Sequence, residues 1–113
     1  MKNLEKVLKA LADKNRIRIL KLLQIRKMCV CELAFVLGIT QPSVSRHLKK
    51  LKAACLIKDE QEGLWTNYFL NKTNNPCCCV LIKKIYEWLK TDPIVKKDLG
   101  KAKKIDRTKL CCR

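Results

Sequence analysis

The chain has 113 residues, with 26 Lys and Arg against 10 Asp and Glu, for a formal net charge of +16. That length suits one domain rather than two, and 48% hydrophobic with 32% charged residues describes a folded chain rather than a disordered one. So much positive charge repels itself unless a polyanion neutralises it, which points first to nucleic acid and second to an anionic membrane surface.

Leu4, Val7, Leu8 and Leu11 fall at helical spacing and predict a short amphipathic helix. Asp13 then caps a second, largely buried helix carrying Ile17, Ile19, Leu20, Leu22, Leu23 and Ile25. A third short helix is expected from near Cys31 to Leu37, ending at Gly38. Thr40 caps a fourth that runs to about Ala54, with Pro42 in its first turn, where a missing N–H costs nothing.

The period then changes. Residues 56–61 and 64–70 read as two strands joined at Glu62-Gly63, and 71–76 as a turn-rich connector. A fifth helix places Leu81, Ile85, Trp88 and Leu89 on one face, Asp92-Pro93 breaks it, and a lysine-rich helix follows from Ile94 to about Lys104. This order predicts a mainly α fold with a small β-hairpin wing, a winged helix-turn-helix. The flanking helices are apolar on one face and either complete the core or, as read here, form a dimer interface. Residues 1–92 are expected to bind DNA and dimerise, and 93–113 to form a basic helix and tail.

On the fourth helix Val44, Leu48 and Leu51 share an inward face. Ser43, Arg46, Lys49 and Lys50 lie opposite, with Gln41, Ser45 and His47 near the leading edge. Arg pairs with guanine and Gln with adenine through two hydrogen bonds each, while lysines and serines hold phosphates. His47 is the only histidine, which excludes a multi-histidine zinc site within one chain and suits a groove-edge hydrogen bond better. In the wing, Lys58 and the Glu62-Gly63 tip are placed to approach the flanking backbone, while Trp65 and Tyr68 read as packing residues.

The run from Leu33 through Gly38-Ile39-Thr40-Gln41-Pro42-Ser43-Val44-Ser45-Arg46-His47 to Leu51 closely resembles the DNA-reading core of the arsenical-resistance repressors, the ArsR/SmtB family. The likeness extends from about Leu4 through Gly63-Leu64-Trp65-Thr66-Asn67-Tyr68 and leaves only helical character after Asn71. It implies a homodimer that holds double-stranded operator DNA when metal-free and lets go when metal binds. Met28-Cys29-Val30-Cys31-Glu32-Leu33 resembles the family's metal-sensing motif.

No stretch is long and apolar enough to span a bilayer, and Met1 to Lys6 lacks a signal-peptide core. A reducing cytoplasm with no membrane partner is expected, and there the eight cysteines are ligands or redox thiols rather than disulfides. Residues two apart on a helix diverge by about 200°. One ion bound to both Cys29 and Cys31 therefore requires the turn to open, which would displace the recognition helix behind it. Thiolates favour As(III) or Sb(III), and also Cd(II) or Zn(II), over hard cations. The arsenite sensors resembled here often carry a third cysteine where this chain has Ala34. A third thiolate must then come from Cys55, from Cys77, Cys78 or Cys79, from Cys111 or Cys112, or from a small thiol. The cadmium-sensing branch draws thiolates from its N-terminal arm, and no cysteine precedes Cys29 here.

Three function classes suit these features to different degrees. A repressor released by As(III) or Sb(III) uses the charge, the helix-turn-helix and the thiols together. A Cd/Zn-responsive or thiol-redox-responsive DNA-binding repressor is the alternative. A thiol enzyme fits less well because no cysteine has an obvious base partner and no phosphate loop or carboxylate pair is present, and a cysteine-rich metal carrier has no need for a recognition helix.

Overall fold

The computed structural model describes residues 2–72 and 76–105, the side chains of 76–79 excepted. The elements run α1 (Lys2–Leu11), α2 (Lys14–Ile25), α3 (Val30–Leu37), α4 (Gln41–Ala53), β1 (Ile57–Glu62), β2 (Trp65–Leu70), α5 (Pro76–Trp88) and α6 (Pro93–Lys103). Local chemistry sets the boundaries. The Asp13 carboxylate accepts the N–H groups of Asn15 at 2.8 Å and Arg16 at 3.1 Å, satisfying donors that the first turn of α2 leaves open. Gly38 ends α3 in the left-handed region (φ 71°) and donates its N–H to Ala34 O at 2.9 Å. Asp92 caps α6 on the N–H groups of Ile94 and Val95, with Pro93 at the first helical position.

β1 and β2 pair antiparallel from Ile57 opposite Leu70 to Glu62 opposite Trp65. Both strands begin one residue later than the sequence pattern suggested, so Leu64 sits in the turn, 70% exposed. A further isolated bridge ties Met28 to Tyr68, with backbone N···O distances of 3.2 and 2.8 Å.

Ile19, Leu20 and Leu22 of α2, Leu33 and Val36 of α3, Val44, Leu48 and Leu51 of α4, and Leu56 and Ile57 form the centre of the core, with almost no exposed surface. α6 lies against α2 and α3, held by Arg18 and Asp98. The Tyr86 hydroxyl of α5 donates to Leu20 O at 3.2 Å, and Leu81, Ile82 and Ile85 pack on the same core.

The apolar stripes divide between inside and outside. On α1, Val7 and Leu11 are buried, but Leu4 and Leu8 are half exposed. On α5, Leu81 and Ile85 of the expected face pack on the core, but Trp88 of that face is 71% exposed, as is Val80 beside it in the helix at 62%. Ile25, expected inside α2, is 47% exposed because the chain leaves the helix there.

Candidate nucleic-acid interface and sensor turn

α4 is positioned by its cap and its core face. Thr40 accepts the Ser43 N–H at 3.3 Å, and the buried Val44, Leu48 and Leu51 anchor one side of the helix. Gln41, Ser45, Arg46, Lys49 and Lys50 are exposed, and Ser43 is partly so. Arg46 Nη2 donates to Ser43 Oγ at 3.1 Å, which holds its guanidinium over the first turn. Lys52 is drawn off this face by Asp59 of β1 at 3.0 Å, leaving Arg46, Lys49 and Lys50 as the cations that face outward.

His47 is placed differently from the groove edge that the sequence suggested. Its side chain is 18% exposed and turned toward the corner between α1 and α2. There Nδ1 lies 3.4 Å from Arg16 Nη1 and 4.0 Å from Asp13 Oδ1. Burial pushes the imidazole pKa down and outweighs the pull of Asp13, while Arg16, Lys50 and Arg46 add to the depression. A neutral ring with Nδ1 unprotonated accepts from Arg16. Arg16 in turn donates to Ala10 O at 2.7 Å and Lys9 O at 3.1 Å, capping the end of α1. Beside it, a groove of about 300 Å³ lined by Lys6, Lys9, Ala10, Arg16, Lys50, Ala53 and Ala54 has an alanine floor and sets two lysines of α1 beside Lys50 of α4.

Across the helix-turn-helix, Cys29 is the N-cap of α3 (φ −92°, ψ 171°) and Cys31 is its second helical residue. Cys29 therefore already stands in extended backbone, and the turn carrying the two thiols is not continuous helix. Cys29 is 3% exposed, whereas Cys31 is partly exposed. The Cys29 N–H donates to Glu32 Oε1 at 3.1 Å, and Glu32 Oε2 meets Arg26 Nη1 at 2.8 Å. Glu32 is itself 1% exposed, so this pair fixes the turn from inside. Arg26 reaches on to Ala102 O of α6 at 3.4 Å. From the other side, Gln41 Nε2 of α4 approaches Cys31 Sγ at 3.6 Å.

The remaining cysteines are not brought to this turn within the described residues. Cys55 is exposed, in left-handed backbone (φ 62°), at the turn between α4 and β1. Cys77, Cys78 and Cys79 lie in α5 with their side chains outside the described set, and Cys111 and Cys112 fall outside the described residues altogether. Among the described residues no three His, Cys, Asp or Glu side chains converge as a metal site. Nor is any described helix long and apolar enough to cross a membrane.

A helix-turn-helix with a basic outer face, a hairpin wing and flanking helices defines a winged helix-turn-helix DNA-binding transcription regulator. Residues 13–59 match the family described as "Bacterial regulatory protein, arsR family". The chain is 38% identical over 91 residues to the arsenical resistance operon repressor of Bacillus subtilis, covering 74% of this chain and 87% of that protein. It is 33% identical to the arsenic resistance transcriptional regulator ArsR1 of Pseudomonas putida, covering 83% and 77%. Its fold matches the homodimeric winged helix-turn-helix DNA-binding domain Mb0332 of Mycobacterium bovis with a TM-score of 0.67 at 24% identity, covering 81% of this chain and 82% of that one. The chain belongs to the arsR family of bacterial regulatory proteins.

Proposed function

We propose that the chain is a homodimeric repressor that binds operator DNA and is released when As(III) or Sb(III) binds the thiolates of Cys29 and Cys31. In this reading Arg46 and Gln41 read bases, while Ser43, Ser45, Lys49 and Lys50 hold phosphates. His47 supports the helix from behind through Arg16. Residues 1–92 bind DNA and dimerise, and 93–113 carry Cys111 and Cys112.

One observation supports the switch: the two thiols flank Val30, the first residue of α3, one just outside the helix and one just inside. The N-terminus of a helix favours negative charge, which suits thiolate ligands. Soft thiolates select soft ions, and the names of the two relatives agree with an arsenic inducer. Two thiolates leave a three-coordinate ion incomplete, so a third sulfur is supplied by another cysteine of the chain or by a small thiol. Reaching the buried Cys29 sulfur disturbs the cap held by Glu32 and Arg26, and through α3 the helix packed against it.

The test is titration of a labelled operator complex with As(III), Sb(III), Cd(II) and Zn(II). As(III) or Sb(III) should release the DNA at the lowest concentration. Cys29→Ser and Cys31→Ser should keep operator affinity and lose that response. A double variant that still responds normally would remove the site, and release by peroxide alone would favour the redox alternative. A chain cut before Cys111 shows whether the third sulfur comes from the tail.

A further inference from the structure

We infer that Gln41 is the positioning residue that carries the state of the Cys31 sulfur to the DNA-reading helix. This inference rests on the thiol site proposed above. Gln41 is the first residue of α4 and Cys31 the second of α3, and their contact joins the two helices of the helix-turn-helix through side chains. Gln41 is exposed, so water can take over its bonds when the amide turns away from Cys31.

The bond has an acceptor whose strength depends on inducer. A free thiol is both a weak donor and a weak acceptor, whereas a sulfur bonded to an ion has given up its proton and can only accept. Donors of this kind orient and stabilise the ligands of a bound metal. A sulfur held as a thiolate ligand therefore keeps the Gln41 amide against α3 more firmly than a free thiol does. Reading adenine needs the same amide extended, with its oxygen and nitrogen both presented to the base. One amide cannot lie back on α3 and extend from α4 together, so the inducer and the operator compete for it. Linkage makes that competition reciprocal: each ligand weakens the other by the same factor. Cys29 has a different part, since its backbone is held by Glu32 from inside.

Gln41→Met keeps the length of the side chain and removes its donor. The readout is the As(III) dissociation constant without operator and with operator at saturation for each protein, because only at saturation does a loss of DNA affinity in the variant cancel from that ratio. The wild-type ratio should exceed about fivefold and fall toward one in Gln41→Met, with As(III) still bound at the same stoichiometry. Independently, the side-chain amide resonances of Gln41 should shift when As(III) is added to the DNA-free protein, and stay still in Cys31→Ser. An unchanged ratio, or an amide that ignores As(III), overturns the inference. Cys31→Ser separates the two levels. If that variant still releases DNA, the thiol site itself is wrong; if it does not, while Gln41→Met keeps the full ratio, Gln41 alone is wrong.

Discussion

Arg18 grips Asp98 across 80 residues of chain through two hydrogen bonds of 2.8 Å, with the Asp98 side chain only 4% exposed. Asp98 raises the pKa of Arg18, as a carboxylate beside a guanidinium must. Asp98→Ala should cost about 3–5 kcal/mol in urea denaturation, because it strands a charge in a mostly buried site. Replacing both partners with apolar residues of similar volume should cost far less, since the pair's attraction largely offsets its own desolvation. If the single variant loses no more than the double, α6 is held by its apolar contacts instead.

His47 gives a stability that depends on pH. Its folded pKa lies below 6.5, chiefly through burial, so the unfolded chain takes up that proton first. This contribution is complete above about 6.5 and is lost as pH falls from there through the folded pKa, by at most about 1.4 kcal/mol per pH unit. Asp13 acts in a lower window. Burial pushes its carboxyl up, but the Arg16 N–H and the charges of Arg16 and His47 outweigh that and hold it below 3.8, so its share is lost only under more acid conditions. Chemical denaturation between pH 7 and 5 should show a slope that His47→Gln flattens. An equal slope in the variant would assign the effect to another group.

Cys55 occupies a backbone region that side chains with a Cβ resist, at a cost on the order of 1 kcal/mol. Cys55→Gly should raise thermal stability by about that amount and leave inducer response intact. Loss of response would instead make Cys55 a ligand.

Arg46 is exposed on the outer face of α4 and steadied by Ser43. Arg46→Ala should weaken operator binding by about 1–3 kcal/mol and relax preference at one base position. A loss of equal size on every sequence would make it a phosphate contact.

Leu4 and Leu8 on α1, and Val80 and Trp88 on α5, are the apolar side chains that a dimer would cover. Leu8→Glu with Trp88→Glu should convert the protein to monomer in sedimentation and cut operator affinity sharply. A dimer that persists would place the interface elsewhere.

The elements were legible because their signals are local: Asp13, Thr40 and Gly38 stand where caps are needed, and Val44, Leu48 and Leu51 mark the inward side of α4. His47 stands three residues after Val44 and four before Leu51, so the same spacing already places it beside the buried face. Residue chemistry alone suits a histidine to a groove edge; here the helical spacing outweighs it. The apolar stripe of α1 was legible, but its division between core and surface depends on which neighbours arrive. Contacts such as Arg18 with Asp98 or Gln41 with Cys31 join distant or differently oriented elements and leave no periodic trace. The position of Cys29 as an N-cap was equally hidden, since cysteine is not a usual capping residue.

Met28, next in the chain to Cys29, exchanges both backbone hydrogen bonds with Tyr68 in the middle of the hairpin. Under the proposed switch, a pull on the neighbouring thiol would reach the wing through this bridge as well as α4 through α3. Both handholds then slacken in one event, so a repressor clinging by a single contact would be short-lived and the exit from DNA abrupt.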